Sequence, residues 1–133
     1  MAPTSPFRNS SDLVLEALKN LGVLSVGNPV DPEDFNYVNE KLDSIFRKVA
    51  AIEICYVPDP DNIPGAMFAD LADIVAGECA TKFGYNGEQY VTFVNKGLGG
   101  AAGVEIGAGT AAKSLKIMQR GRPTYEALRF TNW

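Results

Sequence analysis

Residues 31–84 read DPEDFNYVNEKLDSIFRKVAAIEICYVPDPDNIPGAMFADLADIVAGECATKFG, and this run decides the fold. In its first part Phe35, Val38, Leu42, Ile45, Val49 and Ile52 recur at alternating spacings of three and four. That is the apolar stripe of a helix packed on one side. In its second part Phe68, Leu71, Ala72, Val75, Cys79 and Phe83 repeat the pattern. Between them VPDPDNIP carries three prolines, which no helix crosses. Neither stripe can stay in water, so the simplest arrangement is an antiparallel helical hairpin with the two stripes facing. Its expected core is Phe35, Val38, Leu42, Ile45 and Val49 against Phe68, Leu71, Val75, Cys79 and Phe83.

The ends of these helices are written locally. Asp31-Pro32-Glu33-Asp34 supplies a capping side chain, a proline at the first helical position and acids in the first turn. The first helix should run to about Ile54, with Asp43 and Arg47 one turn apart on its wet face. Asn62 or Asp61 is placed to cap the second, which ends at Gly84 after Lys82. Alanines at 66, 69, 72, 76 and 80, with Gly77, let another backbone approach closely. That approach could come from within the hairpin or from another copy of the chain.

Working outward, Ser10, Ser11 and Asp12 suit a helix start, and Leu13, Val14, Ala17, Leu18 and Leu21 form a short leading stripe closed by Gly22. Residues 1–10, with Pro3 and Pro6, read as a flexible N-terminus. Residues 22–30 connect, with a turn at Gly27-Asn28-Pro29. A third element begins near Gly87 and includes Tyr90, Phe93 and Val94. Residues 97–109, GLGGAAGVEIGAG, hold six glycines and read as a flexible break or short exposed hairpin. Ala111, Leu115 and Met118 then return to helical spacing over 110–119. The last stretch, residues 122–133, places Tyr125, Phe130 and Trp133 within nine residues. Such a segment either folds back on its own core or extends as a docking arm, and we take the arm. The expected organisation is one all-α helical domain, residues 1–121, followed by that arm.

The totals narrow the chemistry. At 133 residues the chain is one domain, 46% hydrophobic and 21% charged. No apolar run reaches the roughly 18–20 residues of a membrane span, and MAPTSPFRNSSD lacks a secretory layout. A soluble intracellular origin fits that reading. A net charge of −4 argues against gripping nucleic-acid phosphates, though not against lining a channel past which DNA slides. With no histidine the commonest general base and metal ligand is absent, and two cysteines make neither a disulfide scaffold nor a zinc site. Cys79 reads as a small core residue; Cys55, at a helix end, could be core or reactive. No catalytic, cofactor-binding or metal residues are assigned. Gly97-Leu98-Gly99-Gly100-Ala101-Ala102 matches the dinucleotide-binding pattern formally, but no strand precedes it. Lys113 is not placed as a Walker-type phosphate loop requires.

The run LEALKNLGVLSVGNPVDPEDFNYVNEKLDSIF resembles the head-completion adaptor proteins of tailed bacteriophages. It is most similar to the helical adaptor of short-tailed phages, also called the packaged-DNA stabilisation or tail accessory protein. The likeness rests on Ala17 to Leu24, then a turn and an acid-capped helix with Asn39, Leu42 and Ile45. A proline elbow follows, and an alanine-rich helix ending at Phe83-Gly84. The tail Arg122-Pro123-Thr124-Tyr125-Glu126-x-Leu128-Arg129 also looks like the end of such adaptors. It covers about residues 12–84 plus the tail; residues 97–109 depart from it, where a more continuous helix would stand.

The resemblance implies a dodecameric ring docked beneath the portal protein in the virion neck. Such a ring is assembled in the host cytoplasm after DNA packaging and supports a downstream tail or nozzle protein. Packaged DNA would pass through without specific binding, and no membrane or cofactor is implied. It also implies that the C-terminal segment docks on the portal, here through Arg122, Pro123, Tyr125, Leu128, Arg129, Phe130 and Trp133. Two other readings make different demands on the sequence. A peptidoglycan-cleaving enzyme needs two carboxylates held a fixed distance apart, for which Asp73, Glu78 and Glu105 are the acids to consider. A helical regulatory or DNA-binding protein needs a basic recognition helix, but the second hairpin helix carries Asp70, Asp73 and Glu78 against Lys82.

Overall fold

The computed structural model describes residues 7–25 and 27–118. Within them the chain is an all-α bundle. Its helices are α1 (Ser10–Asn20), α2 (Pro32–Ala51), α3 (Gly65–Cys79), α4 (Gly87–Lys96) and α5 (110–118), with a 3-10 turn over Ala80–Phe83. Two residue pairs form a minimal antiparallel ladder, β1 (Phe7–Arg8) with β2 (Ile63–Pro64). The proline elbow thus ends as the partner strand of the segment before α1.

Helix α3 sits at the centre. Met67, Phe68, Leu71, Ala72, Ile74, Val75, Ala76, Gly77 and Cys79 are all buried, so it is apolar nearly all round rather than along one stripe. A helix of that kind needs partners on several sides. Its most extensive contact is with α1, then α4, and only then α2. The hairpin helices do meet, but α1 is more than a leading helix. Its Leu13, Val14, Ala17 and Leu18 are fully buried where α1 packs on both α2 and α3. Of the expected hairpin core, Val38, Leu42, Ile45, Val49, Phe68, Leu71, Val75 and Cys79 are buried. Phe35 and Phe83 sit at its rim, part-buried, and Tyr37 meets Phe83 edge to face at 6.2 Å.

The small residues of α3 serve mainly this internal packing. Ala72, Ala76, Gly77 and Ala80 are buried, while Ala66 and Ala69 are exposed. At Gly77 a Cβ would lie 2.8 Å from the Phe93 carbonyl oxygen, so α4 crosses α3 backbone against backbone.

Caps follow the sequence with instructive exceptions. Asp31 accepts from the Glu33 N–H at 2.9 Å, and Gly22 closes α1 in the left-handed conformation. Asn9, not Ser10 or Ser11, caps α1, accepting from the Asp12 N–H at 2.8 Å; Ser10 instead donates to Asp61 at 3.3 Å. Neither Asn62 nor Asp61 caps α3. Both are held by Asp59, whose carboxylate accepts from the Asp61 N–H at 3.0 Å and the Asn62 amide at 2.8 Å. Pro64 takes the cap position without a side-chain bond.

Helix α2 stops at Ala51 rather than Ile54 because Glu53 turns left-handed, φ 59°. The Glu53 N–H bonds to Ala50 (3.1 Å) and the Ile54 N–H to Val49 (2.8 Å), the paired bonds of a Schellman motif. A side chain at that position costs about 1 kcal/mol relative to glycine. Glu53→Gly is therefore expected to stabilise the chain by at most about 0.5 kcal/mol after the added unfolded-state freedom is subtracted. In a thermal melt that is a rise of no more than roughly 2 °C.

The glycine-rich segment is a closed loop. The Gly107 and Gly109 N–H groups both donate to the Leu98 carbonyl (2.7 and 3.2 Å), and the Ala112 N–H donates to Gly97 at 3.1 Å. Leu98 is buried beneath, and Gly97, Gly99, Gly107 and Gly109 are buried with it. The expected exposed hairpin or break is thus a tight staple joining the end of α4 to the start of α5.

Candidate functional site

The seam between α2 and the end of α3 carries the best-formed surface features. Lys48 on α2 and Glu78 on α3 pair at 2.8 Å. On one side of this pair lies a cleft of about 160 Å³, with Tyr90, Val94 and Ile106 on its wall. On the other lies a groove of about 250 Å³ lined by Tyr37, Lys41, Ser44 and Ile45, with the pair itself. Lys41 reaches the Tyr37 ring from one helical turn further along α2, its Nζ 5.4 Å from the ring centre. Lys82, from the 3-10 turn, stands at the same distance. Ammonium groups over a tyrosine face are favoured electrostatically by about 0.5–1 kcal/mol each at exposed sites. The groove is thus basic and aromatic on a chain whose net charge is acidic.

Acids gather on a different side of α3. Asp73 accepts from the Asn20 amide at 3.2 Å, at the end of α1, and faces Lys96 of α4 at 4.0 Å. Its surroundings push its carboxyl above the usual 3.8: burial first, Lys96 opposing, and Asp70 and Glu16 adding like charge. Because the folded chain holds this proton more tightly than the unfolded chain, the stability it adds is fully present only below the ordinary carboxylate range. It is lost as pH rises through the folded value. Asp73→Asn keeps the oxygen that Asn20 binds and removes the part-buried charge. The variant is expected to melt slightly above the parent at neutral pH, with the gap closing at about pH 3 in a melting series.

The three acids considered for glycoside cleavage are not brought together. Asp73 faces α1 and α4, Glu78 is engaged by Lys48 of α2, and Glu105 is exposed in the glycine-rich loop. Both thiols are buried: burial pushes Cys55 up to about 11, and burial with Glu78 does the same for Cys79 against the opposing Lys41. Cys55 is therefore a core residue rather than a reactive one. Among the described residues no group of three His, Cys, Asp or Glu side chains is placed to hold a metal ion. No helix among them is long and apolar enough to cross a membrane.

The arm residues Arg122, Pro123, Tyr125, Leu128, Arg129, Phe130 and Trp133 lie outside the described residues, as do residues 1–6 of the expected flexible N-terminus. No pattern in the sequence singled out the groove. Tyr37 and Lys41 stand at helical spacing, but Lys82 and Glu78 arrive from elsewhere in the fold. Comparison of the chain with known protein families, curated proteins and solved structures finds no match.

Proposed function

We propose that this chain is a structural virion protein, a head-to-tail adaptor of a tailed bacteriophage. The observation that carries the reading is the resemblance of residues 12–84 to such adaptors, together with the separate likeness of the tail at residues 122–129 to their ends. Its punctuation coincides with the joints of the fold: Gly22 closes α1, Asp31-Pro32 opens α2, the proline elbow precedes α3, and Gly84 ends the 3-10 turn. In this reading a dodecameric ring sits beneath the portal protein in the neck between head and tail. It extends the DNA channel and offers a platform to the next tail or nozzle protein. Residues 122–133 reach the portal as an arm. The role is mechanical and requires no catalytic centre or cofactor. A net charge of −4 suits a wall that DNA must pass without sticking.

The test is the mass of the chain, alone and mixed with the portal ring of its phage, for the full sequence and for a version ending at Gly121. Joining the portal only when residues 122–133 are present supports the proposal. Indifference of both versions to the portal removes it.

A further inference from the structure

We infer that copies of this chain meet head to tail, the basic groove around Tyr37 on one copy receiving the acidic edge of Glu16, Asp70 and Asp73 on the next. This deepens the ring reading and rests on it for the closure of the ring.

The groove is built to take negative charge. Lys48 already has Glu78, but among the described residues Lys41 and Lys82 have no carboxylate within 4.0 Å and point at one aromatic ring. The opposite arrangement holds at the other edge, where three carboxylates crowd the α1–α3 seam and Lys96 reaches only one of them, at 4.0 Å. The two surfaces belong to different sides of α3: one faces α2 through Glu78, the other faces α1 and α4 through Asp73. A molecule with complementary patches on separate sides associates heterologously, and such contacts close into a ring when the rotation between copies allows it. Exposed Ala66 and Ala69 lie one turn before Asp70 and Asp73 respectively on α3, and leave the acidic edge free of bulky side chains. The occupant is therefore a second copy, selected by charge.

Exposed ion pairs contribute about 0–1 kcal/mol each and are screened over about 8–10 Å at ordinary salt. The contact should therefore be weak in the free chain and sensitive to salt. Sedimentation velocity on the full chain at low salt is expected to show a mass that rises with concentration and falls back to the monomer at high salt. The double variants K41E/K82E and E16K/D70K should each lose self-association by about tenfold or more, because each then sets like charges against each other. An equal mixture of the two restores opposite charges at every contact and is expected to associate again. Unchanged melting of each variant excludes a folding defect.

Association that ignores both reversals, a mixture no better than its components, or a monomer under all conditions overturns the inference. Portal binding of the same samples separates it from the function proposed above. Charge-dependent assembly without portal binding keeps the inference and removes the adaptor. Portal binding by samples whose self-association ignores both reversals does the opposite.

Discussion

Gly109→Ala is expected to destabilise the chain by about 3 kcal/mol or more, a large part of the roughly 5–15 kcal/mol that holds a domain together. The reason is contact, not backbone conformation. A Cβ at Gly109 would lie 2.5 Å from the Gly99 nitrogen and 2.7 Å from the Leu98 carbonyl carbon, and nearer still to the Gly97 carbonyl oxygen. None of these can rotate away, since all are backbone. Relief requires α5 to lift from the end of α4, which breaks the bonds from Gly107 and Gly109 to the Leu98 carbonyl. Leu98, Ala111, Ala112 and Leu115 would then lose their cover.

Gly103→Ala is the control. That glycine has nothing within 4 Å but a φ of +83°, so its substitution should cost only the left-handed penalty of about 1 kcal/mol. Thermal melting of the two variants beside the parent decides the matter. The Gly109 variant should fall by roughly 8 °C or more, and the Gly103 variant by a few degrees. Equal losses would mean that the loop is not the staple described.

That loop also marks the boundary of what could be read in the sequence. The helices of α2 and α3, the caps at Gly22, Asp31 and Gly84, and the element beginning at Gly87 were legible because their causes are local: periodicity, a capping side chain, a left-handed glycine. The burial of eight of ten expected hairpin residues follows from the same stripes. What was not legible depends on groups that meet only in the fold. The placement of α1 against α2 and α3 arises because α3 is apolar on more than one face. The Phe7–Arg8 ladder with Ile63–Pro64 joins residues more than fifty positions apart. The closing of residues 97–109 on Leu98 is made of backbone contacts that leave no pattern beyond the glycines themselves. For the candidate site the same division holds. Tyr37 and Lys41 were neighbours in the helical register, whereas Lys82 reaches them from the 3-10 turn. Asp73 and Glu78 read alike as acids of the second hairpin helix, yet one is engaged by Asn20 and the other by Lys48.

Ending the chain at Gly121 is expected to abolish capture by the portal ring while leaving the melting temperature unchanged. Among the described residues the buried core is built from residues between Leu13 and Leu115, and on the arm reading residues 122–133 are not needed to cover it. A docking arm loses conformational freedom when it binds, which holds the affinity of each copy to a modest value. Carried on a ring, identical arms act together, and such linkage strengthens attachment by about 10²–10⁴-fold without any new contact. The truncation removes every arm at once and so should weaken attachment by at least that factor. Trp133→Ala tests the same idea without shortening the chain. A buried aromatic anchor is worth about 2 kcal/mol or more per copy, and the loss repeats at each subunit. Its effect on ring attachment should therefore far exceed its effect on a single isolated arm peptide binding the portal. The competing arrangement, in which residues 122–133 fold back over their own core, makes the opposite forecast. Truncation would then cost about 3–5 kcal/mol for each buried aromatic it removes and lower the melting temperature accordingly, and portal capture would follow stability rather than the arm. Melting and capture measured on the same two proteins therefore distinguish a docking arm from a lid on the core.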